Sequence, residues 1–175
     1  MSAPLTASAQ KVQDALRALG LSSCAQKVQD ALRALGLSSE VVESEQPTRT
    51  AADAAKLVGC QVGQIAKSLV FKTVQTGRGV LVITSGANTV NEFRVGMHVK
   101  EALGKAPAAF VRQATGFAIG GIPPVAHATP LQTFIDQDLM KHQEIWAAAG
   151  TPNALFRLAP ADLVKITGGQ VIRVT

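Results

Sequence analysis

Tyrosine is absent from this 175-residue chain, tryptophan occurs once and phenylalanine six times. A base-stacking platform of the kind that reads single-stranded nucleic acid therefore has little material. Cys24 and Cys60 are the only cysteines, too few for a disulfide scaffold or a cysteine-built zinc site, and a reducing, cytoplasmic setting is expected. No run approaches the roughly 20 apolar residues needed to cross a bilayer, and the first residues lack the long apolar core of a secretory signal. No membrane partner is expected. Lysine and arginine are spread singly, without a basic block or tail. Conventional catalytic signatures are missing as well: no Gly-x-Ser-x-Gly, His-Glu-x-x-His, Gly-x-Gly-x-x-Gly or Gly-Lys-Ser/Thr occurs. These absences argue against the common nucleotide folds, the serine hydrolases and the zincins, and no cofactor or metal is expected. Cys60, in Gly59-Cys60-Gln61, reads as a small buried residue rather than as half of a dyad with His98, which itself reads as a solvated helix residue.

What is present is material for one substantial core. At 47% apolar and 17% charged residues, one compact domain is the default. Seventeen basic against twelve acidic residues leave a net charge of +5, which suits a polyanionic partner without requiring one. Residues 8–23 recur at 24–39 with Cys24 in place of Ser8 as the single change. Copies this similar have not diverged to suit different neighbours, so they read as a recent or artefactual duplication, and two units are too few for a solenoid. Each copy sets Val, Ala, Leu and Leu (Val28, Ala31, Leu32 and Leu35 in the second) on one helical face before a glycine. Residues 1–39 are therefore expected to be a duplicated helical segment whose second copy docks on the domain formed by 40–175, with the first surplus.

The rest of the chain alternates short apolar runs with helical stretches. Glu40–Glu43 reads as a strand. Thr50, with Asp53 three residues on, caps a helix from Ala51 to Val58 that ends at Gly59. Gln61–Ala66 reads as a short helix delivering Lys67 at its C-terminus. Ser68–Val74 and Val80–Thr84 form a hairpin around Gly77-Arg78-Gly79. Asn91–Leu103 reads as a helix, and Phe110-Val111 and Phe117–Ile119 as strands. Gln132–Asp136, Glu144–Ala149, Asn153–Leu158 and Val171–Val174 are further strands, with a turn at Asp138–His142 and a helix at Pro160–Ile166. The expected fold is α/β (α+β): a mixed, mostly antiparallel sheet or barrel surrounded by helices.

Two stretches carry the functional signal. Thr115-Gly116-Phe117-Ala118-Ile119-Gly120-Gly121-Ile122-Pro123-Pro124-Val125-Ala126-His127 combines glycines that let a ligand approach the main chain with prolines that stiffen the exit. By itself this is equally a tight turn between strands. Lys67 stands at the mouth of the apolar run Ser68-Leu69-Val70-Phe71, where a lysine is ordinarily a snorkelling surface charge. Taken together, Lys67-Ser68-Leu69-Val70-Phe71 followed by Gly116-x-x-x-Gly120-Gly121-x-Pro123-Pro124 resembles the YbaK/ProX family, free-standing relatives of the editing domain of bacterial prolyl-tRNA synthetases. The resemblance runs from about Val41 to Val174.

The resemblance implies hydrolysis of the ester of mischarged aminoacyl-tRNA. Such an ester is already reactive, so positioning and electrostatic stabilisation matter more than a protein nucleophile. Lys67 would hold the terminal phosphate or the aminoacyl carbonyl. Gly116, Ile119, Gly120 and Gly121 would surround the carbonyl and a water activated by the substrate's own ribose hydroxyl. Ser68 and His127 would orient the amino group or the water, or be a plain strand residue and a solvated loop residue, and Pro123 would shape the pocket. The glycine-rich segment looks closer to the branches related to prolyl-tRNA editing than to the alanine-specific branch. That leaves alanine, 2-aminobutyrate, cysteine, serine or threonine as the amino acid removed. The implied partner is the 3′ end of aminoacyl-tRNA, presented by a synthetase or elongation factor, to a monomer or weak homodimer. The competing reading, motivated by the +5 charge and the missing nucleophile, is a non-catalytic module that binds nucleic acid or a synthetase.

Overall fold

The computed structural model describes residues 24–175; the first copy of the repeat lies outside the described residues. The second copy forms helix α1, Cys24–Ala34. Ala25, Val28 and Leu32 enter the main core, each at most 1% exposed. The buried stripe is rotated from the expected one: Gln26 and Gln29 are buried, while Leu35 is 44% exposed. Gln29 explains the rotation, since its side chain accepts from Val41 N–H at 2.8 Å and donates to the Ser39 carbonyl at 3.0 Å. That polar clasp ties the helix to the strand that follows, and Gly36, at φ +79°, ends it.

The sheet has eight strands: β1 Val41–Glu43, β2 Ile65–Thr73, β3 Gly79–Ser85, β4 Leu103–Lys105, β5 Gln132–Asp136, β6 Ile145–Ala148, β7 Ala154–Leu158 and β8 Gln170–Ile172. They run in the order β1-β7-β6-β2-β3-β5-β8, with β4 paired to β2 off that path. Pairings β1–β7, β2–β3, β2–β4 and β6–β7 are antiparallel; β2–β6, β3–β5 and β5–β8 are parallel. The mixed, largely antiparallel sheet expected from the apolar runs is present. Helices α2 Ala51–Val58, α3 Glu92–Val99, α4 Ala108–Thr115 and α5 Pro160–Thr167 are the other α-helices among the described residues. The α2 capping box forms as read, Asp53 N–H donating to Thr50 Oγ1 at 3.1 Å and Thr50 N–H to Asp53 Oδ2 at 3.0 Å, with Gly59 left-handed at its end.

Three local expectations are corrected. The helix placed at Gln61–Ala66 is a single 3₁₀ turn, Val62–Gln64, and the chain is already extended at Ile65. Ile65 and Ala66 pair with Trp146 and Ala147, and this sheet pairing overrides the weak helical pattern. Lys67 is therefore the third residue of a strand and lies at no helix end. The helix read as Asn91–Leu103 stops at Val99, where Lys100 turns left-handed (φ 61°), and Leu103 opens β4 against Thr73. Phe110-Val111 belongs to α4, and Phe117–Ile119 to a loop, not to strands. A short apolar run does not reveal its period, and here Pro107 before the first turn and Gly116 after the last close off a helix.

Candidate active site

A cavity of about 580 Å³ opens beside β2, and it is lined by Lys67, Ser68, Ile119 and Gly120 together. The two stretches singled out in the sequence are thus brought to one hollow. Its size is that of sites taking small-molecule groups. Much of the wall is apolar, including Ile65, Leu69, Ile122 and Leu155. Its charged members are Arg49, Lys67, Lys105 and Glu92, three cations to one anion. Thr50 and Ala51 add the N-cap and first residue of α2, the positive end of that helix.

Lys67 reaches the cavity from β2 and donates from Nζ to the Asn88 carbonyl at 3.1 Å. Burial pulls its pKa below the ordinary lysine value, and the Asp136 carboxylate partly offsets this. Asp136 is 1% exposed and accepts from Thr84 Oγ1 at 3.1 Å, Ser85 N–H at 3.0 Å and Asn88 Nδ2 at 2.8 Å. Asn88 Nδ2 also reaches Asp138 Oδ2 at 2.8 Å. The Asn88 loop that carries the lysine's acceptor is therefore anchored from beneath by a buried carboxylate at the end of β5. Nothing in Ser-Gly-Ala-Asn or Phe-Ile-Asp announces this contact; only an acid closing an apolar strand hints at it.

The glycine-rich loop is pinned at both ends. Phe117 N–H donates to Thr115 Oγ1 at 3.0 Å, and Ala128 N–H donates to the Thr115 carbonyl at 3.0 Å. Phe117, Ile122 and Val125 sink into the core while Ile119, 60% exposed, stays at the tip. Gly120, at φ +97°, sits in a region closed to most side chains. Gly121 is pressed against the β6–β7 turn: a Cβ there would lie 2.7 Å from Thr151 Cα, and Gly150 N–H donates to the Gly121 carbonyl at 2.9 Å. Thr151 itself lines the cavity. Behind that turn, a Cβ on Gly150 would meet the Cys24 carbonyl at 2.8 Å, so α1 backs the loop.

Gly116, Gly121, Pro123 and His127 are not in the cavity lining. Gly116 is the left-handed C-cap of α4, its N–H donating to Arg112 O at 2.8 Å. His127 Nε2 and the Pro123 carbonyl are 2.7 Å apart, a clip across the loop's exit. Burial pushes the His127 pKa down, against a smaller upward pull from Pro123. Cys60 and His98 do not meet: Cys60 packs with the cluster of Ala54 and Ile65, and its pKa is raised by burial and by Glu144. His98 faces the Phe134 ring, with centroids 6.0 Å apart. Arg49, Lys105, Thr151, Asn88 and Asp136 escaped the sequence reading because distant segments bring them to the site.

Fold and cavity together define a small α+β domain that brings an ammonium, a strand and a glycine-rich loop to one hollow. The chain belongs to the aminoacyl-tRNA editing domain family, whose pattern matches residues 45–166, in agreement with the YbaK/ProX resemblance. A crystal structure of a candidate trans-editing enzyme for prolyl-tRNA synthetase superposes with a TM-score of 0.83 at 46% identity, covering 89% of this chain and 98% of that one. EbsC of Enterococcus faecalis, named as a candidate Cys-tRNA(Pro)/Cys-tRNA(Cys) deacylase, is 25% identical over 135 residues, 72% of this chain and 77% of its own length. The uncharacterised YwhH of Bacillus subtilis is 26% identical over 135 residues, 75% of this chain and 83% of its own. Among the described residues no helix is long and apolar enough to cross a membrane.

Proposed function

We propose that this aminoacyl-tRNA deacylase is a free-standing editor that removes a small, wrongly attached amino acid from tRNA-Pro or a similar tRNA. The reading rests chiefly on one observation: Lys67, Ser68, Ile119 and Gly120 share a cation-rimmed cavity. The Lys67 ammonium holds the terminal phosphate or the ester carbonyl, and the main chain at Ile119-Gly120 faces the reacting carbonyl. Water attacks the ester carbon, aided by the ribose hydroxyl of the substrate; the tetrahedral intermediate collapses, the ribose oxygen leaves with a proton, and the free amino acid and tRNA are released. Such a site supplies positioning and field, and the substrate supplies the base.

The location of the basic groups favours an enzyme over a binding-only module. Arg49 and Lys105 line the same hollow as Lys67, where they attract the phosphates of an acceptor end. The substrate arrives on a synthetase or elongation factor in the cytoplasm, and the chain works as a monomer or weak homodimer. The test is a panel of tRNAs charged with alanine, 2-aminobutyrate, cysteine, serine and threonine, scored for released amino acid. Release from at least one, abolished in Lys67→Ala, is expected. Tight, salt-sensitive tRNA binding without release from any of them would sink the proposal.

A further inference from the structure

β2 is a strand with a hole along one side. Its far edge is covered by β6 only at Ile65 and Ala66, and by β4 only from Phe71 to Thr73. Among the described residues Lys67 to Val70 have no strand opposite them there, and all four line the cavity. Which of their main-chain groups face the hole follows from the ladder with β3. Gly86 N–H donates to Ile65 O at 2.7 Å and Thr73 N–H donates to Arg78 O at 2.9 Å, both in the β2–β3 register. Hydrogen-bonded pairs alternate along an antiparallel ladder, so the odd-numbered residues of β2 point their N–H and C=O at β3. The even-numbered residues point the other way. Ala66 meets β6 and Lys72 meets β4; Ser68 and Val70 lie between them, Val70 next to the β4 pairing that begins at Phe71 and Ser68 at the middle of the gap.

Ser68 Oγ is also buried without a hydrogen-bond partner among the described residues. Ser68 thus brings to the cavity wall a side-chain oxygen without a partner and, from the ladder register, a main-chain N–H and C=O that face the gap, where a buried polar group ordinarily has a partner. The main-chain pair has a definite shape. In a hydrogen-bonded antiparallel pair each residue exchanges both bonds with the residue opposite, so the partner that fits is an amine donor and a carbonyl acceptor joined through one carbon.

We propose that the free edge of β2 at Ser68 is the docking site for the aminoacyl group itself, which pairs there as a single residue of an added strand. The α-ammonium donates to the Ser68 carbonyl, and the ester carbonyl accepts from Ser68 N–H. The side chain of the amino acid then stands off the sheet into the apolar wall, and the ester oxygen leads away to the ribose. The grip is independent of the side chain and selects α-amino esters over other acyl esters. This rests on the deacylase reading and adds to it the residue that reads the amino acid's main chain.

The experiment compares the aminoacyl-tRNA cleaved fastest with the same tRNA carrying the matching α-deamino acyl group, for example alanyl against propionyl. Each single-turnover rate is divided by the rate without enzyme. The enhancement is expected to be about tenfold to a hundredfold greater for the aminoacyl ester, the effect of one lost charge-assisted hydrogen bond. Equal enhancements would overturn the docking while leaving the deacylase intact. Ser68→Pro removes the N–H that faces the hole and leaves the β3 ladder its donors; it is expected to lose at least about tenfold in rate on both esters. Its folding is checked by circular dichroism. If proline prevents folding, the α-hydroxy analogue of serine at position 68 replaces the same N–H by oxygen. Parental rates in either folded variant refute the proposal. A parent inactive on every aminoacyl-tRNA removes the deacylase reading itself, and the docking with it.

Discussion

Glu101 and Lys67 are both charged side chains drawn away from solvent, and the chain surrounds them in opposite ways. Glu101, at the turn between α3 and β4, accepts from Gln75 N–H at 2.7 Å, Thr76 N–H at 2.6 Å, Thr76 Oγ1 at 2.7 Å and Arg78 Nη2 at 3.3 Å. Burial pushes its pKa up, but the Thr76 main chain and hydroxyl, with Thr73 and Arg78, overcome this and hold it at about 2. Lys67 has three N–H donors and one acceptor, the Asn88 carbonyl; burial dominates and its pKa falls. A saturated carboxylate locks the β2–β3 hairpin to β4. An ammonium with one acceptor among the described residues, beside a cavity, fits the role proposed for it.

Breaking the second arrangement should give the largest effect. Lys67→Ala is expected to lower single-turnover deacylation by about 100- to 1000-fold, the scale of one lost preorganised electrostatic contact, while thermal unfolding stays near parental. Asp136→Ala strikes the support beneath it. With four donors (Thr84 Oγ1, Ser85 N–H, Asn88 Nδ2 and Asp138 N–H) losing this acceptor, denaturant titration should show a loss of about 2–4 kcal/mol, and deacylation should fall because the Asn88 loop is held less firmly.

The first arrangement should respond to acid. A carboxylate whose folded pKa lies below its ordinary value stabilises the fold above that value and ceases to do so as the folded pKa is passed. For Glu101 the window runs from 4.5 down to about 2. Thermal unfolding scans across it should show falling stability, and Glu101→Gln, less stable near neutrality, should show a flatter decline with unchanged deacylation. The sign reverses for function at Lys67. Its ammonium is lost at a lower pH than that of a free lysine, 10.5, so the blank-corrected rate should decline on an alkaline limb below 10.5. Lys67→Arg should move that limb upward. The smallest effect is expected at the loop tip: Ile119→Ala, already 60% exposed, should leave stability unchanged and slow deacylation by about a few-fold.

The same contrast marks what could be read from the chain. Local chemistry was legible: the Thr50–Asp53 box, Gly59, the Gly77 hairpin and the Gln132–Asp136 strand all follow from neighbours in sequence. Ala108–Thr115 was misread because Phe110-Val111 suits either period, and Gln61–Ala66 because its fate is decided by Trp146 and Ala147, 81 positions away. At the site, Lys67 and the glycine-rich loop stood out through the family resemblance, and both Ser68 and Gly120 lie in the cavity wall with them. Arg49 and Lys105 carry no local mark. They become relevant only when α2 and β4 fold over the same side of β2.

The break in the sheet carries a further consequence. A long bare strand margin invites copies of a protein to stack edge to edge, and at the break β2 keeps its margin open for only four residues, Lys67 to Val70, between flanking β6 and β4. At roughly 3.3 Å per residue that notch spans about 13 Å, long enough for the single aminoacyl group of the proposed docking and too short to template another chain. For the proposed docking, the same narrowness that admits one residue protects this margin against aggregation.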